Sequence, residues 1–220
     1  MQSSTYSAED RLIAVLPQRI TGLILAGGRS TRMGGQDKAR VTLAGQTLLA
    51  HAVTRLRPQV DDLAINSNRD PAGFAKFGLP VITDIEHGHP GPLAGLHAGL
   101  VHYPDNLILA LAVDIPLIPA DLVARLQKGL GERPCAYASD GLLHTLAILC
   151  RPGMTELVRD YIEQGGRRVD DFLDRYGCAV VFNRPQDRGL FCNLNTPEDL
   201  ARAERDAELL VISSAAAEHS

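Results

Sequence analysis

An apolar run that stops at a pair of glycines constrains this chain more than any other feature. Leu23-Ile24-Leu25-Ala26 leads straight into Gly27-Gly28, and Arg29, Arg32, a second pair (Gly34-Gly35) and Asp37-Lys38 follow closely. A short apolar run bounded by turn residues reads as a buried strand. Glycines after it let backbone N–H groups approach a ligand where a Cβ would stand in the way. Successive N–H groups in such a loop make an anion-binding concavity, and Arg32 and Lys38 add full charges to it. A lone Gly-Gly would leave a solvent-facing turn as the better reading. Two glycine pairs with Arg32 and Lys38 behind one strand point instead to a triphosphate site and a nucleotide-using enzyme. It is not the P-loop, because no G-x-x-x-x-G-K-[ST] occurs here, and no G-x-G-x-x-G of the dinucleotide type spans Gly27–Gly35.

Behind this loop the chain alternates short apolar runs with amphipathic segments, the pattern of βα units on a largely parallel sheet. Strands are expected at Ile20–Ala26, Asp62–Asn66, Pro80–Thr83, Leu107–Val113, Cys135–Ala138, His144–Leu149 and Cys178–Phe182. Helices are expected at Thr47–Leu56, Pro92–Tyr103, Pro119–Leu130, Gly153–Gln164, Val169–Arg175 and Thr196–Leu209. Thr196 and Asp199 have capping-box spacing, with Pro197 at the first helical position. Asp140-Gly141 between two strand candidates is a hairpin signal, which puts an antiparallel element in the second half of the sheet. No repeat or internal linker divides the chain. Residues 19–210 read as one domain between a flexible extension (1–18) and a flexible tail (211–220).

Bulk properties narrow the partners. A net charge of −4 lacks the basic excess of a nucleic-acid-binding surface. No apolar run reaches membrane-spanning length, and none of the N-terminal residues forms a signal-peptide core. Cys135, Cys150, Cys178 and Cys192 have no C-x-x-C spacing, so neither a zinc ribbon nor a redox pair is indicated. They read as reduced, mostly buried thiols of a cytoplasmic protein.

Asp114 follows the most apolar run of the chain, so its carboxylate is expected at the carboxyl end of a central strand, where open α/β sheets bind ligands. Magnesium is commonly held by one or two carboxylates plus substrate phosphates. Asp114 is therefore a candidate metal ligand, with capping of the next turn as its alternative. Asp84 ends another run and either binds the nucleotide's sugar or a metal, or caps the loop toward His89. Asn66 ends a third; its amide both donates and accepts, which suits a base or ribose edge. Asn68 has the look of a turn residue. Arg167 and Arg168, after Gly165-Gly166, either meet an acceptor phosphate or are solvated charges at a helix start. His87-Gly88-His89 reads as a loop rather than a metal clip, and His97 and His102 are five apart, not on one helical face. No Ser-His-Asp or Cys-His set is present.

The segment Leu25–Lys38 resembles the L-A-G-G-x-S-x-R-M-G-x-D-K signature of the molybdenum cofactor guanylyltransferases, with one additional glycine. Asn66-Ser67-Asn68-Arg69, Thr83-Asp84, Gly91-Pro92-Leu93-Ala94-Gly95, Asp114-Ile115-Pro116, Gly166-Arg167-Arg168-Val169 and Asn193-Leu194-Asn195-Thr196-Pro197-Glu198 resemble later blocks in the same order. Cytidylyl relatives carry L-A-A-G where this chain has Leu25-Ala26-Gly27-Gly28. The resemblance implies a single-domain, Rossmann-like, glycosyltransferase-A-like nucleotidyltransferase that uses Mg2+ to join GMP from GTP to molybdopterin-bound molybdenum. It implies Leu25, Ala26, Gly27, Gly28, Lys38, Asn66, Asp84 and Asp114 at the nucleotide. Arg32, Gly34, Arg168, Asn193 and Asn195 fall to the acceptor, and Lys38, Arg32 and Asp114 to catalysis. Two amides on one side of Leu194 suit a pterin, though they equally organise the entry of the last helix. His144 lies in a block where the family has a histidine, but Thr145 replaces the usual proline. Molybdenum-insertion proteins and apo-molybdoenzymes are the implied partners. Cytidylyl or sugar-phosphate transfer on the same scaffold, or a non-catalytic nucleotide carrier, are the alternatives.

Overall fold

Leu107–Ala112 is buried at every position, and that run organises the molecule. In the computed structural model, which describes residues 18–27, 37–69, 71–85, 91–141 and 143–205, this strand pairs on both sides and sends alternate residues into two cores. Leu107, Leu109 and Leu111 join one core, Ile108 and Ala110 the other, as the two-residue period of a strand requires.

The elements run β1 (Ile20–Leu25), β2 (Thr42–Leu43), β3 (Gln46–Thr47), α1 (Leu48–Leu56), β4 (Asp62–Asn66) and a single helical turn, α2 (Pro71–Phe74). There follow β5 (Val81–Ile82), α3 (Pro92–His102), β6 (Leu107–Ala112), α4 (Leu122–Leu130), β7 (Cys135–Ser139) and β8 (Leu143–Cys150). Last come α5 (Thr155–Glu163), α6 (Val169–Tyr176), β9 (Gly177–Val181) and a helix α7 over 197–205. Seven strands form one sheet in the order β5-β4-β1-β6-β8-β7-β9. Every neighbouring pair is parallel except β6–β8 and β7–β8, so β8 alone runs against the rest, as the hairpin signal predicts.

Helices cover both faces. Leu48, Leu49, Ala52 and Leu56 of α1, and Leu122, Val123, Leu126 and Leu130 of α4, fill the first core. Leu93, Leu96 and Leu100 of α3 join Val158, Ile162, Phe172 and Leu173 of α5 and α6 in the second. α1, α4, α5 and α6 are amphipathic, each with its apolar stripe turned to the core, whereas α3 is buried at every position from Leu93 to Leu100. Strands and helices fall where the sequence puts them, with shifts at the ends. β5 shortens from Pro80–Thr83 to Val81–Ile82 at a sheet edge, where Pro80 has no N–H to donate. α4 starts at Leu122 and not Pro119, because Leu122 N–H is spent on a turn to the Pro119 carbonyl. α5 is trimmed to Thr155–Glu163.

The β2–β3 hairpin and the single turn α2 are not among the expected elements; the hairpin turns through Ala44 and Gly45, both with positive φ. The capping box is present as expected: Thr196 N–H donates to Asp199 at 3.1 Å and Asp199 N–H to Thr196 Oγ1 at 3.1 Å. Cys135 and Cys150 are buried, whereas Cys178 and Cys192 are only partly so. Among the described residues no helix is long and apolar enough to cross a membrane. The expected flexible ends, 1–18 and 211–220, lie outside the described residues except for Gln18.

Candidate active site

The chain leaves β1 for β4 on one side and later returns to β6 on the other. The two directions part above the carboxyl ends of β1 and β6, the position where open α/β sheets leave a crevice for ligand. A cleft of about 510 Å³ lies there, bordered by Leu25, Gly27, Ala112, Val113 and Asp114, within the usual size of a small-molecule site. Lys38, Asn66, Asn68, Arg69, Asp84, Gly91, Pro92 and Leu146 complete its wall. Backbone bonds extend the ladder past the strand ends: Ala26 N–H donates to the Asn66 carbonyl at 2.8 Å and Val113 N–H to the Leu25 carbonyl at 3.2 Å. The glycine loop is therefore launched from a rigid rim.

Lys38 opens a 3-10 turn, Lys38–Arg40, capped by Asp37, whose carboxylate accepts from Ala39 N–H at 3.1 Å. Ala39 is buried, so the turn is anchored and Lys38 leaves it in a set direction. Its ammonium donates to Asp114 Oδ2 at 2.6 Å and also to the side-chain oxygen of Asn195. The Lys38 and Asp114 side chains are only 16% and 11% exposed, so the pair is shielded from bulk screening. Asp114 stands directly after β6, and its own carbonyl accepts from Leu194 N–H at 2.9 Å. A carboxylate and a lysine at one cleft edge fit a hard cation held between one protein oxygen and substrate phosphates.

Asp84 is held from two sides. Asn66 Nδ2 donates to its Oδ1 at 2.9 Å and Asn68 Nδ2 to its Oδ2 at 2.7 Å, while Asp84 N–H donates to Asn68 Oδ1 at 2.8 Å. Asn66, expected to face a nucleotide, thus spends its amide on Asp84 and on the Ile82 carbonyl. Asn68, read as a turn residue, is a full partner in fixing Asp84. α3 begins at Gly91-Pro92 on the cleft wall with no side-chain cap, so the positive end of its dipole borders the site.

Of the acceptor candidates, Asn195 meets Lys38, Asn193 is exposed beside it, and Arg168 pairs with Asp170 at 3.1 Å at the start of α6, outside the cleft wall. Gly28, Arg32, Gly34, His87 and His89 lie outside the described residues. For His144 only the backbone, on β8, is described. His97 is buried on α3. Arg69, Gly91, Pro92, Ala112, Val113 and Leu146 line the cleft with no site role expected of them, although Arg69, Gly91 and Pro92 stand in the motifs quoted above; Asn68, expected in a turn, lines it too.

Comparison with known proteins matches this architecture. The family model described as the MobA-like NTP transferase domain matches residues 22–176. A molybdenum cofactor guanylyltransferase of Serratia proteamaculans is 40% identical over 194 residues, 87% of this chain and 98% of that protein. A Yersinia pestis protein of the same name is 42% identical over 182 residues, 82% of this chain and 92% of that one. Among solved structures, molybdopterin-guanine dinucleotide biosynthesis protein A from Archaeoglobus fulgidus superposes with a TM-score of 0.71 at 23% identity, over 86% of this chain and 98% of that one. A nucleotidyl transferase from Methanothermobacter gives 0.65 at 19% identity, over 86% and 98%. At such identities the structures speak for the fold alone.

Proposed function

The chain belongs to the molybdenum cofactor guanylyltransferases of the MobA-like NTP transferase family, and from that premise we propose that it transfers GMP from GTP to the molybdenum–molybdopterin cofactor. The product is the guanine dinucleotide form of the cofactor, with pyrophosphate released. The observation that carries the reading is the shielded Lys38–Asp114 pair at the switch point between β1 and β6.

The acceptor's phosphate oxygen attacks the α-phosphorus of GTP. A P–O bond to the acceptor forms as the bond from the α-phosphorus to the β-phosphate oxygen breaks, and no side chain becomes covalently attached. The protein's part is to align two anions and balance their charge as pyrophosphate leaves. Lys38, with Arg32 on the glycine loop, supplies positive charge, and Leu25, Ala26, Gly27 and Gly28 bring backbone to the triphosphate. Asp84, fixed by Asn66 and Asn68, presents an ordered carboxylate to the nucleoside. Arg32, Gly34, Arg168 and Asn193 remain the candidates for the acceptor side. Asp114 is the residue that would hold Mg2+, which supplies Lewis-acid charge to phosphate oxygens when bound. The reading takes 19–210 as one catalytic domain, a cytoplasmic setting, and hand-over from molybdenum-insertion proteins to apo-molybdoenzymes.

The test is pyrophosphate release by purified protein with Mg2+ and molybdopterin cofactor, comparing GTP, CTP, ATP and UTP. Release with GTP that depends on the acceptor is expected, and Asp114→Asn should lower it at least a hundredfold, the scale on which preorganised charge acts. Release with CTP in place of GTP would assign the cytidylyl reaction. An undiminished rate in Asp114→Asn would remove Asp114 from the site.

A further inference from the structure

Lys38 carries a compact charge on a flexible four-carbon stem, which by itself gives the ammonium no fixed direction. Here two oxygens hold it. One is Asp114 Oδ2 at 2.6 Å, and the other is the side-chain carbonyl of Asn195, 157 positions further along the chain. An ammonium has three N–H donors, so two committed to fixed acceptors lock its rotation and orient the third. The backbone that carries each acceptor is itself fixed. Asn195 N–H donates to Asp199 Oδ2 at 3.3 Å, Leu194 N–H to the Asp114 carbonyl at 2.9 Å, and Phe191 N–H to the Leu117 carbonyl at 3.0 Å. The segment bearing Asn195 is thus stitched to the loop bearing Asp114. Phe191, buried in that segment, has φ +66°, a left-handed conformation that a bulky residue keeps only where its surroundings impose it.

We infer that Asn195 is a positioning residue whose side-chain oxygen, together with Asp114, aims the Lys38 ammonium at the nucleotide's phosphates before any acceptor is bound. This rests on the nucleotidyl-transfer reading above and changes the part of Asn195 within it, from a contact to the acceptor into a contact to Lys38. A neutral carbonyl suits that part. It accepts the hydrogen bond without cancelling the charge that Lys38 brings to the phosphates, as a second carboxylate would.

Two measurements on the full chain decide it. The sequence has three lysines, Lys38, Lys76 and Lys128, so their ammonium groups are separable by 15N-resolved NMR, with Lys38→Met giving the assignment. In nucleotide-free protein the Lys38 ammonium hydrogens should exchange slowly with solvent. Asn195→Leu should speed that exchange at least tenfold, and Asn195→Asp, which keeps an acceptor oxygen, should restore it. Unchanged exchange in Asn195→Leu overturns the inference. In turnover, Asn195→Leu should lower kcat/KM for the nucleotide about tenfold with KM for the acceptor unmoved. In a Lys38→Met background the same change should add less than twofold, since coupled residues are not additive. A full effect in that background, or a shift in acceptor KM instead, also overturns it. Should the wild type turn over no nucleotide, the function proposed above fails, while the ammonium spectra still decide what Asn195 holds.

Discussion

Gly95, in the first turns of α3, shows how closely the cleft is packed at the scale of single residues. A Cβ there would meet Asn66 Oδ1 at 2.3 Å and Leu25 Cδ2 at 2.9 Å. Replacing a helical glycine by alanine ordinarily gains about 1 kcal/mol. Overpacking a buried site costs about 1–3 kcal/mol, and Asn66, buried and tied to both Asp84 and the Ile82 carbonyl, has no free direction in which to retreat. The overlap outweighs the helical gain, so Gly95→Ala is expected to lower the melting temperature. Because the displaced amide is one of the two that hold Asp84, KM for the nucleotide should rise more than kcat falls. A variant that melts higher, as an exposed helical glycine would, refutes this packing argument. The same residues mark what the sequence hides. That Asn66, Asn68 and Asp84 belong to one block of motifs is readable from their positions after apolar runs. That both amides are spent on one carboxylate is not, because the partners are 16 to 18 positions apart and meet only once β4 and β5 pair. Lys38 was legible from its loop, its hydrogen bond to Asn195 was not, and the Asp37 cap that sets the lysine's exit needs the turn to exist first.

At the scale of elements, the return segment from β9 to α7 is fixed by an ion cluster that the sequence gives no sign of. The Asp187 side chain is 1% exposed and accepts from Arg125 at 2.9 and 3.0 Å and from Arg184 at 2.9 and 3.2 Å. Arg184 reaches on to Asp121 at 2.8 Å, and Arg125 lies 3.7 Å over the Phe182 ring. Arg184 chiefly, with Arg125 and against the opposing effect of burial, holds the Asp187 carboxyl down to about 2 from an ordinary 3.8. A carboxyl lowered on folding adds stability that is complete above its unfolded value and is lost as pH falls toward the folded one. Here that window runs from about pH 5 down to about pH 2. Asp187→Asn takes from Arg125 its nearest carboxylate and leaves Arg184 with Asp121 alone, and should cost about 2 kcal/mol at neutral pH, below the range for fully buried pairs because Arg184 is half-exposed and keeps Asp121. Urea midpoints at pH 7, 5 and 3 should show the wild type losing stability on acidification faster than the variant, with the two converging. Parallel pH profiles would show that Asp187 is not anchored as described. The hairpin β2–β3 escaped the sequence reading for a different reason: two-residue strands leave no period to detect. The β7–β8 hairpin was visible because Asp140-Gly141 separates two full-length runs.

At the scale of the whole molecule, the alternation of apolar runs and amphipathic helices disclosed a mostly parallel sheet with one reversed strand, and Asp114 at the end of its most buried member. Strand order was not on the page of the sequence, since any of several windings bury the same runs. The order found, with β1 between β4 and β6, is what brings residues 25, 66, 84 and 114 to one rim. On the proposed function, a nucleotide on that rim would touch the ends of β1, β4, β5 and β6 together, so its binding would act on the folding of the sheet and not on one loop. A ligand that binds only the folded state stabilises it by about 2.7 kcal/mol at a hundredfold excess over Kd. For a chain of this size that corresponds to about 5–10 °C in melting temperature. GTP should produce such a shift without acceptor. CTP at the same concentration should produce much less, because the glycine at position 27 that sets this loop apart from the cytidylyl relatives lies on the cleft wall. Lys38→Ala should reduce the GTP shift while leaving the unliganded melting temperature within a few degrees of wild type. Equal shifts with GTP and CTP would separate triphosphate binding, which the Lys38–Asp114 rim explains, from guanine selection, which would then have to arise in the acceptor-bound state.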